Sequence, residues 1–247
     1  MLYSFLMVGQ SNMAGRGFPA EVDPIPNDNI YVLRNGRWWP MYVPVNPDRV
    51  TAGISLAESF AWQFLQEHPG DSVGLIPCAD GGTRLDQWTP GDVLYDHAVM
   101  MASLAQRSST LAGILWHQGE SDCYPDRYLT YAKRCSHILE SLRKDVGVPN
   151  MPLILGGLGE FLADHDQSGV FNNYVHVNEQ LQHMAKILPN CGFASAQGLP
   201  GNPDNLHFSA SALRQLGLRY YEAYRKLQPV LRDDKHADLT VSEIEKL

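Results

Sequence analysis

Leu6-Met7-Val8-Gly9-Gln10-Ser11-Asn12-Met13-Ala14-Gly15 is the stretch whose reading decides the fold. The residues leading into it, from Leu2 to Val8, are apolar and rich in β formers, as in a short buried strand. Gly9 ends that run, and Ser11 follows at the start of a helical stretch. A serine so placed stands at the carboxyl end of a parallel strand, the edge where open α/β sheets bind their ligands. Its hydroxyl lies near backbone N–H groups and a helix start, a setting that favours an oxyanion. The position also suits a simple N-cap serine. Two other motifs are excluded. The phosphate loop needs Gly-Lys where Ala14-Gly15 stand, and the Gly-x-Ser-x-Gly elbow needs glycine where Met13 stands.

Working outward, the next apolar runs carry the same signature. Val73 to Cys78, Leu111 to Trp116, Leu153 to Leu155 and Gly192 to Ala196 read as strands. Between them lie amphipathic stretches: residues 55–67, 92–107, 127–144 and 173–188, with a last helix capped by Ser209 and running to about Leu227. Five strands alternating with five helices predict an α/β fold with a mostly parallel five-stranded sheet and helices on both faces. Residues 23–47 read as a long loop with a short hairpin turning at Asn35-Gly36. Its Trp38-Trp39 pair suits either a cover for one end of the core or a sugar-stacking platform. The 247 residues suit one domain, with residues 230–247 as a charged peripheral tail.

Bulk properties narrow the function. Charged residues are 19% and apolar residues 44%, an ordinary globular composition. The net charge of −8 argues against nucleic-acid backbones and anionic membranes as partners. The N-terminal apolar run lacks a basic flank and reads as a strand rather than a signal peptide. No stretch approaches the length of a membrane span. Cys78, Cys123, Cys135 and Cys191 form no CxxC pair and read as reduced thiols, which points to a cytoplasmic protein.

Polar or glycine-rich loops follow every strand, and in a doubly wound sheet these loops gather at one edge. Ser11, Gly81-Gly82, Gln118 with Glu120, and Asp204 with His207 can therefore meet. Asp204 and His207 are three apart in a loop, so the carboxylate can reach one ring nitrogen while the other faces a third group. A serine hydroxyl needs such a base, and the base needs an orienting carboxylate. Acyl transfer also needs donors where the oxyanion forms. The Ser11 N–H, an N–H of Gly81 or Gly82, and the Gln118 amide are suitable types. His117, Glu120, Asp122 and His207 fit no known metal-ligand spacing.

Gly9-Gln10-Ser11-Asn12, Gly81-Gly82-Thr83, residues 117–122 (His-Gln-Gly-Glu-Ser-Asp) and Asp204-x-x-His207 fall in the order of the SGNH hydrolase superfamily. The Gly-Gln-Ser-Asn and Gln-Gly-Glu forms resemble its branch of sialate O-acetylesterases and family 6 acetylxylan esterases. The resemblance runs from Leu6 to about Ser209. It implies a flavodoxin-like three-layer α/β/α sandwich and a Ser11-His207-Asp204 esterase acting on acetylated carbohydrates without metal or cofactor. Many superfamily members carry an asparagine oxyanion donor in the third block. None stands in residues 117–122, so the role falls to Gln118. Gln10, Asn12, Arg84 and Glu120 are the expected substrate contacts. Glu120 is also expected to be buried and to hold loop backbone, with Arg84 or Arg16 as its partner.

Overall fold

A computed structural model describes residues 1–26, 28–165 and 167–230. Of the expected tail only Val230 is included; the rest lies outside the described residues.

The strands are β1 (Leu2–Gly9), β2 (Ile30–Arg34), β3 (Arg37–Pro40), β4 (Ser72–Pro77), β5 (Thr110–His117), β6 (Leu153–Gly156) and β7 (Cys191–Ala194). They form one sheet in the order β3-β2-β4-β1-β5-β6-β7. The five strands expected from sequence are its contiguous block β4-β1-β5-β6-β7, all parallel, in flavodoxin-like order. The sheet has seven strands instead of five because the hairpin joins it. β2 runs parallel to β4 over Ile30↔Val73, Tyr31↔Gly74 and Val32↔Leu75, and β3 returns antiparallel at the edge. Asn35 and Gly36 supply the two positive φ angles, 48° and 73°, that a two-residue turn requires. Trp38 covers the core: its ring lies against Gly74, and its Nε1 donates to Ser108 Oγ at 3.0 Å. Trp39 stands half-exposed.

The helices are α1 (Ser11–Ala14), α2 (Leu56–Glu67), α3 (Val93–Ala105), α4 (Pro125–Tyr128), α5 (Tyr131–Asp145), α6 (Tyr174–Ile187) and α7 (Ala210–Tyr224). Alternation along β1 explains the layers. Phe5 and Met7 point to the face covered by α2 and α7, and Leu6 and Val8 to the face covered by α3, α5 and α6. On the first face Phe5 meets Phe60 and Tyr224 edge-on, at 4.8 and 5.3 Å between centroids. α2 begins with a capping box, in which Ser55 Oγ accepts from Ala57 N and Glu58 Oε1 accepts from Ser55 N. The helix expected over 127–144 is two helices. Gln180 of α6 fills the gap between them, donating to Tyr128 O and accepting from Ala132 N.

All four cysteines are buried and free. No helix among the described residues is long and apolar enough to cross a membrane.

Candidate functional site

β1 delivers Ser11 to the carboxyl edge of the sheet, between β4 and β5. Gly9 makes the exit possible. Its φ is +128°, and a Cβ there would lie 2.1 Å from His117 O. Gln10, not Ser11, is the N-cap of α1 and makes no side-chain cap, so the serine hydroxyl is not spent on capping. α1 is only four residues long, and what it offers at this point is local N–H groups rather than a sizeable dipole.

Asp204 and His207 reach Ser11 from the loop before α7. His207 Nε2 lies 3.0 Å from Ser11 Oγ, and His207 Nδ1 lies 2.7 Å from Asp204 Oδ2. The second carboxylate oxygen, Oδ1, accepts the N–H groups of Leu206 and His207, both at 3.0 Å. Burial pushes the Asp204 pKa up, but the hydrogen bonds from His207 and the two amides outweigh it and hold the carboxyl below its usual range. An ionised Asp204 fixes the proton on Nδ1 and leaves the Nε2 lone pair facing the serine hydroxyl. Ser11 is 7% exposed and the His207 side chain 17%, so the pair is sheltered yet reachable.

Asn12 fastens this loop to the serine. Its Oδ1 accepts from Phe208 N at 3.1 Å, and its Nδ2 donates to Leu206 O and to Glu120 Oε1. Asn12 and Glu120 are 1% and 2% exposed. They are braces inside the protein, which corrects their expected role as substrate contacts. The expected arginine partner of Glu120 is also corrected. Arg16 pairs with Asp48, while the groups near Glu120 are Asn12 and, at 3.8 Å, His117 Nε2. Burial, foremost, raises the Glu120 pKa to about 7 and lowers that of His117 to about 3. Tyr220 OH donates to Trp116 O, so it accepts from His117 Nδ1, and the Nε2 lone pair faces Glu120.

The expected oxyanion donors divide. The Gln118 amide donates to Thr83 O at 3.1 Å and Asp122 Oδ2 at 2.7 Å, which uses both of its hydrogens. Gln118 therefore has none left for a ligand, a correction to its expected role. Gly81 lies beside Ser11, since a Cβ on it would stand 3.5 Å from the serine Cβ. Its N–H, however, is held by Asp48 Oδ2 at 2.8 Å. The N–H groups of Ser11 and Gly82 have no acceptor among the described residues. Gln10 carries a third unused N–H. Its Oε1 accepts from Gly119 N and Ser121 N at 3.4 Å each, which holds the side chain against the β5 loop, and its Nε2 donates to no described residue. Arg84 is exposed at the rim and forms no ion pair among the described residues.

Two residues of the connection between β3 and α2 were not singled out by the sequence. Asn46 clamps Ala79 with a pair of 3.0 Å bonds to its N–H and carbonyl. Asp48 takes Gly81 N while bound in two-point fashion by Arg16, at 2.7 and 3.0 Å. Together they fix the turn that carries Gly82. Their only sequence signal is that a long loop in a compact domain is often functional. Among the described residues no group of His, Cys, Asp and Glu is arranged to hold a metal.

Known proteins share this plan. Residues 2–226 match the family model for carbohydrate esterases described as sialic acid-specific acetylesterases. A probable carbohydrate esterase of Arabidopsis thaliana is 30% identical over 245 residues, covering 89% of each chain. An X-ray structure of an Arabidopsis thaliana protein superposes with a TM-score of 0.80 at 29% identity, over 91% of this chain and 98% of that one. NanS (TM-score 0.72, 19% identity, 91% and 97% covered) shares the fold. So does a carbohydrate acetylesterase from Xanthomonas citri (0.68, 19%, 92% and 56%). The chain belongs to the sialic acid-specific acetylesterase family of carbohydrate esterases, and is with it a carboxylic ester hydrolase.

Proposed function

We propose that the protein hydrolyses O-acetyl esters of carbohydrates through an acetyl-enzyme on Ser11. The observation that carries this reading is the Asp204–His207–Ser11 chain, at 2.7 and 3.0 Å, at the carboxyl edge of the sheet. His207 Nε2 takes the Ser11 proton as Oγ attacks the acetyl carbonyl carbon. The carbonyl oxygen gains the charge, and the N–H groups of Ser11 and Gly82 with the Gln10 amide receive it. Collapse breaks the bond to the sugar oxygen, which leaves with the proton from His207. Water then attacks acetyl-Ser11 while His207 accepts its proton. The second tetrahedral species collapses to acetate, and His207 returns a proton to Ser11 Oγ. Asp204 stays ionised throughout and steadies the imidazolium.

Acetyl is the acyl group the surroundings suit. Gly81 stands close against Ser11, and the Gln10 side chain is held by the β5 loop. Apolar pockets separate single methylenes by only about 1–3 kcal/mol, so steric closure must supply any sharper preference. The test is acetate release from acetylated xylo-oligosaccharides, O-acetylated sialic acid and aryl acetates, with an aryl ester series from acetate to octanoate alongside. kcat/KM is expected to fall steeply beyond acetate. Equal or rising values with chain length would instead identify a general esterase or lipase.

A further inference from the structure

A cavity of about 450 Å³ opens at the same edge of the sheet, past the ends of β2 and β4. β4 is the neighbour of β1, so the cavity stands one to two strand spacings from Ser11, about 5–10 Å. That is the scale of one sugar ring. The cavity and the serine site share a wall. Asp48 and Ala79 line the cavity on one side, while on the other Asp48 holds Gly81 beside Ser11. Nothing in the acyl-transfer chemistry uses this space.

Its lining has the mixed character that a sugar needs. Leu94 and the half-exposed Tyr42 offer apolar surface for ring C–H groups. Asn35, Asp80 and His97 offer both acceptors and donors, and sugar hydroxyls do both. Charge argues for a neutral ring. The wall carries the carboxylates of Asp48 and Asp80, each already held by an arginine, Arg16 and Arg49. Arg34, the arginine of the lining, lies over the Tyr42 ring at 4.5 Å and donates to Pro44 O and Val45 O. A carboxylated sugar would meet the part-exposed Asp80 carboxylate and a cation already occupied.

We propose that this cavity is a subsite for an uncharged sugar unit adjoining the acetylated one, so that the preferred substrate is a neutral oligosaccharide. The inference rests on the carbohydrate acetylesterase reading above. Two measurements keep the two apart. The first is calorimetric binding of unacetylated xylotetraose, with a sialylated oligosaccharide as the acidic arm. The second is kcat/KM on acetylated xylotetraose relative to acetylated xylose. Both use wild type, His97→Trp, which obstructs the cavity from α3, and Tyr42→Ala at a half-exposed position. Xylotetraose is expected to bind wild type and to lose at least tenfold in affinity in both variants. The tetramer-to-monomer ratio is expected to exceed tenfold in wild type and to fall toward one in both variants. Acetate release with no chain-length gain and no tetraose binding overturns the subsite and leaves the esterase standing. Variant-sensitive binding without acetate release keeps the subsite and overturns the esterase reading. Tighter binding of the acidic arm overturns the assignment of a neutral ring.

Discussion

In the proposed mechanism Ser11 is a weak nucleophile until His207 takes its proton, and His207 is a directed base only while Asp204 fixes its tautomer. Residues that act as one unit are not additive. Ser11→Ala and His207→Ala should each abolish turnover with the fold intact by circular dichroism. The double variant should be little worse than either; losses that multiply would mean that the two act independently. The side-chain amides give a second prediction. Gln10→Ala should lower kcat by about 10²–10³ with a smaller change in KM, as loss of one oxyanion donor does elsewhere. Gln118→Ala should act through stability instead, because its amide ties Thr83 to Asp122. A kcat loss confined to Gln118→Ala would reverse the two roles. The Asp204–His207–Ser11 contacts were readable because Asp-x-x-His is a local spacing and Ser11 follows directly on the end of a strand. Gln10, Asn12 and Gln118 are all polar residues of converging loops. Which of them keeps a free N–H depends on Leu206, Thr83 and Asp122, positions far away in sequence that no spacing rule links.

The elements at the sheet edge were legible where one strand or helix decides its own form, and obscure where two must meet. β1 announces itself by its apolar run, and α2 by its amphipathic face. The hairpin was readable as a hairpin from Asn35-Gly36, but its docking onto β4 rests on only three residue pairs. The same loop then carries Asn46 and Asp48 back to the Ala79–Gly82 turn. The Arg16 and Asp48 side chains are 7% and 3% exposed. Asp48→Ala leaves the Arg16 charge buried and unpaired, at an expected cost of about 3–5 kcal/mol. It also frees the turn beside Ser11, so kcat should fall in the protein that remains folded. Urea denaturation and active-site-normalised kinetics check the two effects separately. Unchanged stability would show that water or another group already compensates Arg16.

The interior of the whole molecule sets one limit on its pH range. Glu120 and His117 are buried side by side, and burial pushes their pKa values in opposite directions, to about 7 and about 3. In the unfolded chain they return to ordinary values near 4.5 and 6.5. For Glu120 the folded state keeps a proton that the unfolded state has lost. Its contribution is therefore full below about pH 4.5 and declines as pH rises toward 7. For His117 the unfolded state binds the extra proton, so its contribution is full above about pH 6.5 and declines as pH falls toward 3. The two slopes oppose each other between about pH 4.5 and 6.5 and hide one another in a wild-type profile. Glu120→Gln separates them. The amide keeps an oxygen for Asn12 and never ionises. Its stability relative to wild type should rise between pH 5 and pH 8, by up to about 3 kcal/mol from the full shift at 1.36 kcal/mol per pKa unit. Parallel urea titrations at the two pH values measure this difference. A variant that tracks wild type at both would mean that Glu120 is already ionised at pH 5, held so by a charge or water that its neighbours Asn12 and His117 do not supply.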